Sequence, residues 1–543
     1  MARVAINYRG CAAVIGLVLV ALVLTFHRLG AADVCGANEA IEGLFVQQMV
    51  EYDTLLFPVA NGNEPMYKPP LFHWTATAIA RALGAHLVTA EILRAPSALY
   101  AIAGVALTTA FAMGLLDLSG AILAGLVLLS SYQYVSEGRI GRVDMALAFF
   151  EALALFSFVW WLPQNELASD ARSNSRADDH RTAWRYLFAA ALGLAVLAKG
   201  PVGAILPLFA IGVFVILERR RQDLLRIFSP GSAALAIVLG ASWYVACAIG
   251  RRYGFLNRQI GSENFGRFFG SLGVMAPTYY LKPILLNSAP ASLIAPIAVI
   301  AALRVRRNQS SPDVAATDSA QRTRTSVRLF AIFWIVTVGF FTIAAYKRRA
   351  YLLPLWPPTA VLIAWWLGHI AATRYGEIVR KAAFVVFGAL VIFNFIYLPR
   401  KQVRDCAGDQ VREIAAQINR AVARDELLFI WGVDQGPAPL LFYLDRQVPV
   451  LRGKLDDAPP GYVLVPAEMW LRHRSEAPEL EPVLTAGSGS QAFILLRRGK
   501  LYGAVESAPK SFRGDRYSAY RCAERIAPCP VSVEASAVRS CSS

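Results

Sequence analysis

Apolar residues in this chain gather into runs of roughly 18–22 positions with few charges, the length that crosses a bilayer as a helix. The runs fall at 11–29, 93–114, 118–134, 144–162, 232–250, 283–303, 328–346, 351–371 and 382–398. The stretch 186–217 is long enough for two, broken near Lys199-Gly200-Pro201. The pattern predicts about eleven spanning helices over residues 1–398. The first run follows Arg3 and Arg9 in the manner of a signal peptide. Ala31-Ala32 is a weak cleavage site, however, and many spans follow, so the run is expected to remain as a first helix.

Beyond 398 the pattern changes. A polar helix is predicted from Asp409 to Ala423, followed by β-like runs at Leu427-Leu428-Phe429-Ile430, Tyr462-Val463-Leu464-Val465 and Phe493-Ile494-Leu495-Leu496. Residues 399–543 therefore read as a small α/β domain outside the membrane, its end expected to be disordered. The fold class is an all-α polytopic membrane protein with long outer-face loops and this extracytoplasmic domain.

Charge orients the spans. The chain carries 54 Lys and Arg against 38 Asp and Glu. With the N-terminus inside, the inner loops are 163–185, 218–231, 304–327 and 372–381. They hold Arg219-Arg220-Arg221, Arg304, Arg306, Arg307, Arg374, Arg380 and Lys381, in line with the positive-inside rule. Loop 304–327, rich in Ser, Thr, Asn and Arg, reads as a flexible linker. No zinc-finger, helicase or RNA-binding pattern accompanies the basic charge. The outer loops, which should be poorer in basic residues, nonetheless hold Arg139, Arg142, Lys199, Arg251, Arg252, Arg267, Lys282, Lys347, Arg348 and Arg349. Contact with lipid headgroups would account for some. Convergence of others on an anion at the membrane surface is the sharper expectation. Cys35, Cys406, Cys522, Cys529 and Cys541 also fall outside, where disulfides persist; the short Cys522–Cys529 loop is the most plausible pair, although spacing alone does not fix connectivity.

Five outer segments carry candidate chemistry. Loop 30–92 starts with Asn38-Glu39 and Glu42, the two acids three apart on one helical face. Glu42 reads as a solvated helix start, and the residues alone leave the role of Glu39 open. After the turn at Asn61-Gly62 comes Tyr67-Lys68-Pro69-Pro70-Leu71-Phe72-His73-Trp74. Prolines suit a first helical turn, so Lys68 should sit just ahead of a helix N-terminus, where ammonium and helix dipole both favour a phosphate. The second segment is Glu137-Gly138-Arg139-Ile140-Gly141-Arg142-Val143-Asp144, with Asp144 placed to cap the next span. The others are Lys199-Gly200-Pro201, Glu263-Asn264-Phe265-Gly266-Arg267-Phe268 with Tyr279-Tyr280, and Tyr346-Lys347-Arg348-Arg349-Ala350-Tyr351-Leu352-Leu353-Pro354.

The ordered set resembles the ArnT-like and protein-O-mannosyltransferase-like glycosyltransferases of GT-C type. It comprises the loop-one acid, Lys68-Pro69-Pro70-Leu71 with Trp74, Arg94, Arg142-Val143-Asp144, Lys199-Gly200-Pro201, Glu263-Asn264 with Arg267-Phe268, and Lys347-Arg348 with Tyr351-Leu352-Leu353-Pro354. It spans about residues 30–360. The resemblance implies a transferase with a polyprenyl-phosphate sugar as donor and lipid A, a glycan or a protein as acceptor. It would work on the periplasmic face of an inner membrane. It further implies Glu39 as base, Lys68, Arg142, Lys199, Arg267, Lys347, Arg348 and Tyr351 around the donor phosphate, and Asp144 positioning Lys68 or the acceptor. Two departures stand out. The family's usual Asp-Glu is here Asn38-Glu39. Residues that hold a metal in some relatives correspond to Tyr67 and the Val274-Met275 region, so no metal cofactor is expected. The competing expectations are a non-catalytic transporter or binder of lipid-linked sugars, for which no convincing inverted repeat is found, and a sensor whose tail binds a ligand.

Overall fold

The computed structural model describes residues 8–499 apart from 62–63, 163–174, 251–252, 272, 287, 306–313 and 434–436. Arg251, Arg252, Arg306, Arg307, Cys522, Cys529, Cys541 and the end of the tail lie outside the described residues. Two compact units are present, Met1–Gln417 with Gln435–Asp445, and Ile418–Asp434 with Arg446–Ser543. The division lies past 398, because the last long helix continues through Pro399 to Asp405.

In the first unit, α1 (Tyr8–Phe26) leads to α2 (Ala37–Tyr52), a short pair β1 (Val59–Ala60) and β2 (Glu64–Pro65), and α3 (Leu71–Ala82). Then come α4 (Ala90–Met113), α5 (Leu118–Ser130), α6 (Tyr132–Glu137), α7 (Asp144–Trp161), α8 (Ser175–Lys199), α9 (Val202–Leu217), α10 (Arg221–Ile227) and α11 (Pro230–Ile249). After α12 (Tyr253–Leu256) the chain forms a π-helix, Asn257–Gly266, running into α13 (Arg267–Phe269). The remainder is α14 (Leu281–Leu286), α15 (Ala291–Arg304), α16 (Val314–Ile343), a 3-10 turn Arg349–Leu355, α17 (Trp356–Ala371) and α18 (Gly376–Asp405), with α19 (Val411–Ala421) and the short α20 (Ala438–Tyr443) following. Among the described residues, seven helices are long and apolar enough to cross a membrane, or eight if the bent pair Pro277–Leu286 and Ala291–Arg304 is one span; α5 and α9 are shorter apolar helices. The protein is a multi-pass membrane protein.

Side-chain contacts separate the two ends of the helical unit. At one end Arg380 meets Asp117 at 3.4 Å, Thr323 donates to the Leu115 carbonyl, and Arg324 meets Glu218. At the other, Arg139 donates to the Leu24 and Thr25 carbonyls at 2.8 and 2.9 Å, and Arg94 reaches the carbonyls of Leu29, Ala32 and Asp33. The first set consists of expected inner residues and the second of expected outer ones. Arg139 thus answers the last carbonyls of α1 instead of joining a ligand site. Cys35 and Cys406, both expected outside, form a disulfide.

The linker expected over 304–327 is in part helical, since α16 starts at Val314. Hydroxyls that could have broken it bond back along the helix instead, Thr323 to the Ser319 carbonyl and Ser326 to that of Arg322.

The second unit is built on a four-stranded sheet of β3 (Leu428–Ile430), β4 (Gly461–Pro466), β5 (Leu480–Ala486) and β6 (Phe493–Arg498), in the order β3-β4-β6-β5. Strands β3 and β4 are parallel and the other pairs antiparallel. A helix α21 (Ala467–His473) follows β4. Val463, Val465, Leu480 and Leu496 share one buried cluster with Leu455 and Ala477.

Candidate active site

Loop 30–92 folds so that Glu39 and Glu42 of α2 turn inward. Glu42 is fully buried (0% exposed). Its carboxylate accepts from the Lys68 ammonium and pairs with His73 Nε2 at 2.7 Å. The solvated role expected of Glu42 is therefore replaced by a buried one. Lys68 stands just ahead of α3, whose cap is Pro70, as the two prolines predict. Its Nζ lies 5.1 Å from the centre of the Tyr67 ring, with Arg258 on that ring at 4.9 Å. His73 Nδ1 has no hydrogen-bond partner among the described residues.

These contacts decide the ionisation. Burial alone would raise the Glu42 pKa, but Lys68 and His73 overturn that and bring it to about 2. Burial pulls the Lys68 ammonium down, and Glu42 more than reverses it, so it stands above its ordinary value. A carboxyl with a depressed folded pKa contributes stability that is full above the ordinary 4.5 and lost as pH falls toward about 2. The stability gap between wild type and Glu42→Gln is accordingly expected to be constant above pH 5 and to close between the two values. Thermal unfolding in detergent across that range checks it; a gap unchanged at the acid end would contradict the assignment.

Glu39, the candidate base, is tied to two partners. Its Oε1 accepts from Arg94 Nε at 2.8 Å and from the Gly141 amide at 2.7 Å, and its Oε2 from Arg94 Nη2 at 3.1 Å. Both oxygens of this carboxylate are thus occupied, by a buried guanidinium and a backbone amide. The arrangement pins loop one to α4 and to the second outer loop. Its neighbour Asn38 accepts from Arg348 Nη2 at 2.8 Å.

Asp144 opens α7 without a capping bond from its side chain, so the N-cap role expected of it is not observed. Its carboxylate instead holds two cations, Arg142 Nη2 at 2.8 Å and the Lys199 ammonium. Arg142 also comes within 3.8 Å of Glu137, which Arg349 approaches at 3.5 Å. Burial pushes the Glu137 carboxyl up, and Asp144 adds to that while Arg142 opposes it. Lys199 ends α8 and lies 4.7 Å from the centre of the Tyr351 ring. Gly200 follows at φ +104°, and a Cβ there would run into the Gln259 amide, so the sharp turn that presents Lys199 requires glycine. The Tyr351 hydroxyl accepts from Arg267 at 3.2 Å, and Arg267 is held by Glu263 at 2.8 Å, a residue of the π-helix. Such helices recur at functional sites.

Lys68, Arg142, Lys199, Arg267 and Tyr351 are thus joined, directly or by mutual electrostatics, with Glu42, Asp144 and Glu263 among them. Lys347 is not: buried, it donates to the carbonyls of Ala344 at 2.6 Å and Met275 at 3.1 Å, closing the end of α16. Arg348 reaches Asn38, as above. Glu137, His73 and Arg258 were not singled out from sequence; a histidine five residues beyond Lys68, on the first turn of a Pro-capped helix, was the available signal for one of them. The positions that could hold a metal do not fit one, since Tyr67 offers a ring between two cations and the Met275 carbonyl receives the Lys347 ammonium.

Fold and charge cluster together define a polytopic membrane protein with a group of buried charges beside its helix ends. Comparison with known proteins narrows this. A family model described as dolichyl-phosphate-mannose-protein mannosyltransferase matches residues 48–250. An uncharacterized protein of Aquifex aeolicus is 25% identical over 348 residues, covering 63% of this chain and 61% of that protein. The undecaprenyl phosphate-alpha-4-amino-4-deoxy-L-arabinose arabinosyl transferase of Aeromonas salmonicida is 28% identical over 247 residues, 45% of this chain and 40% of that protein. The chain thus spans about three-fifths or less of the length of these curated relatives. Among solved structures, ArnT from Cupriavidus metallidurans bound to undecaprenyl phosphate superposes with a TM-score of 0.70 at 18% identity, covering 90% of this chain and 98% of that one. The archaeal oligosaccharyltransferase AglB from Archaeoglobus fulgidus superposes at 0.52 and 12% identity, over 85% of this chain and 70% of that one. The fold is ArnT-like.

Proposed function

We propose that the protein is a glycosyltransferase that moves a sugar from a polyprenyl-phosphate carrier to a lipid A, glycan or protein acceptor at the outer, periplasmic face of an inner membrane. The observation that carries the reading is the Arg142–Asp144–Lys199 group, with Tyr351 against Lys199, at the outer end of the helices. It occurs in a fold shared with a protein solved with undecaprenyl phosphate bound.

In this reading the acceptor oxygen attacks the anomeric carbon as the bond from that carbon to the phosphate oxygen breaks, and the carrier leaves as polyprenyl phosphate. Charge grows on the phosphate, and cations already fixed in place stabilise it. Lys68, Arg142, Lys199 and Arg349 face three carboxylates, Glu42, Asp144 and Glu137, leaving one positive charge in excess (four minus three) before Arg267 with its partner Glu263 is counted. Asp144 positions Arg142 and Lys199, and Glu42 positions Lys68. With Glu39 engaged by Arg94, and Asn38 in the place of an acid, the start of α2 offers no ready base. An acceptor whose oxygen arrives as an anion needs none.

Mass spectrometry of membrane lipids tests this. Cells carrying Arg142→Ala in place of wild type are expected to accumulate a polyprenyl-phosphate sugar, roughly tenfold or more for loss of one charge-assisted contact. Identical lipid profiles at equal expression would end the assignment. Proteoliposomes separate the competing reading: a donor that crosses the bilayer intact, with no product on acceptor, would mark a transporter.

A further inference from the structure

At the inner end of the helices, far from the outer cluster, a cavity of about 710 Å3 is lined by Leu217, Glu218, Arg219, Leu303, Arg304, Val305, Arg324 and Arg328. That volume is in the range of small-ligand sites, about 300–1,000 Å3. Its charge is one-sided, with four arginines against one glutamate. Two of the arginines have structural work. Arg324 and Arg328 both pair with Glu218, and Arg328 also donates at 3.1 Å to the carbonyls of Leu303 and Val305 at the end of α15. The bonds to Leu303 and Val305 offset the negative end of α15, which would otherwise repel an anion.

The other two, Arg219 and Arg304, are exposed, and their guanidinium groups have no partner among the described residues. Arg219 is also held at φ +58°, just past α9, in the left-handed conformation that glycine adopts most easily. An arginine at that position costs backbone energy that a glycine would not, yet it places a guanidinium at the rim of the cavity. The walls contributed by Leu217, Leu303 and Val305 are apolar and lie at the ends of the apolar helices α9 and α15.

We infer that this cavity binds the phosphate headgroup of an anionic phospholipid of the inner leaflet. Arg219 and Arg304 grip the phosphate, and Arg324 and Arg328, fixed by Glu218, supply the surrounding positive field. Guanidinium and phosphate match as forked hydrogen-bond partners, and basic pockets between helices on the cytoplasmic side suit such headgroups. A free phosphate shares the polar chemistry but leaves the apolar wall without a partner. The inference is independent of the transferase reading, because none of these residues belongs to the outer cluster.

Native mass spectrometry of the purified full chain in detergent tests it. Phosphatidylglycerol and phosphatidylcholine with the same acyl chains serve as probes, and inorganic phosphate as competitor. Wild type is expected to retain phosphatidylglycerol in preference to phosphatidylcholine. The Arg219→Ala/Arg304→Ala variant should retain phosphatidylglycerol roughly thirtyfold more weakly, from two basic contacts of the size typical at a membrane surface. Equal retention of the two lipids by wild type, or equal retention of phosphatidylglycerol by both proteins, would overturn the proposal. Displacement of the lipid by millimolar inorganic phosphate would assign the site to a soluble anion and overturn the lipid assignment.

Discussion

Lys68→Ala is expected to lower sugar transfer by about two to three orders of magnitude, in the range seen when one fixed transition-state donor is removed, and to destabilise the protein by about 3–5 kcal/mol. The two effects have different origins. In the proposed reaction the first follows from removing a fixed cation beside the leaving phosphate. The second follows from Glu42, which is fully buried and would keep only His73 as a partner. A second variant separates them. In Lys68→Met/Glu42→Gln the charge pair is replaced by neutral groups of similar size, and a buried ion pair replaced as a whole costs little. Stability should return toward wild type while transfer remains lost. Thermal unfolding in detergent, paired with turnover per folded molecule on a polyprenyl-phosphate sugar, reads both. Transfer restored in the double variant would show that Lys68 acts through folding alone.

The spans were legible because hydrophobicity sums over many residues and tolerates local error. Apolar stretches mark α4, α7 and α11 to within a few positions of their ends. The proline pair after Lys68 likewise fixed the start of α3, because proline constrains the backbone directly. Strand β5 was missed for a related reason. It contains Pro482, which weakens a strand reading, and the structure places a register irregularity between Pro482 and Leu484.

Roles within the cluster were less legible, because a charged residue's job depends on partners far along the chain. Glu39 is separated by 55 positions from Arg94 and by 102 from Gly141. Asp144 lies 55 positions from Lys199. Span alternation put these residues on one expected face, yet pairing divided them into two groups. Lys347 and Arg139 carry the same charge as Lys68 and Arg142, but they answer helix-end carbonyls. Nothing in spacing distinguishes a cation that closes a helix from one that awaits a phosphate.

That distinction gives Glu39→Gln an expected outcome unlike that of a missing base. Arg94 is buried, and its carboxylate partner would become a neutral amide. The guanidinium keeps its bonds to the carbonyls of Leu29, Ala32 and Asp33, but its charge loses compensation. A stability loss of about 3 kcal/mol is expected, at the low end for breaking a buried pair because glutamine still accepts a hydrogen bond. Turnover per folded molecule, measured well below the unfolding temperature, should stay within about fivefold of wild type, a shift of about 1 kcal/mol in the barrier. A general base would behave in the opposite way. Its loss would cost about 10^2 to 10^4 in rate, remove a limb of the pH profile and leave stability nearly untouched. Such a result with Glu39→Gln would mean that an acceptor displaces Arg94 from the carboxylate during turnover. The outer loops would then have to move before the chemistry, and the pinned arrangement of Glu39, Arg94 and Gly141 would be the resting state.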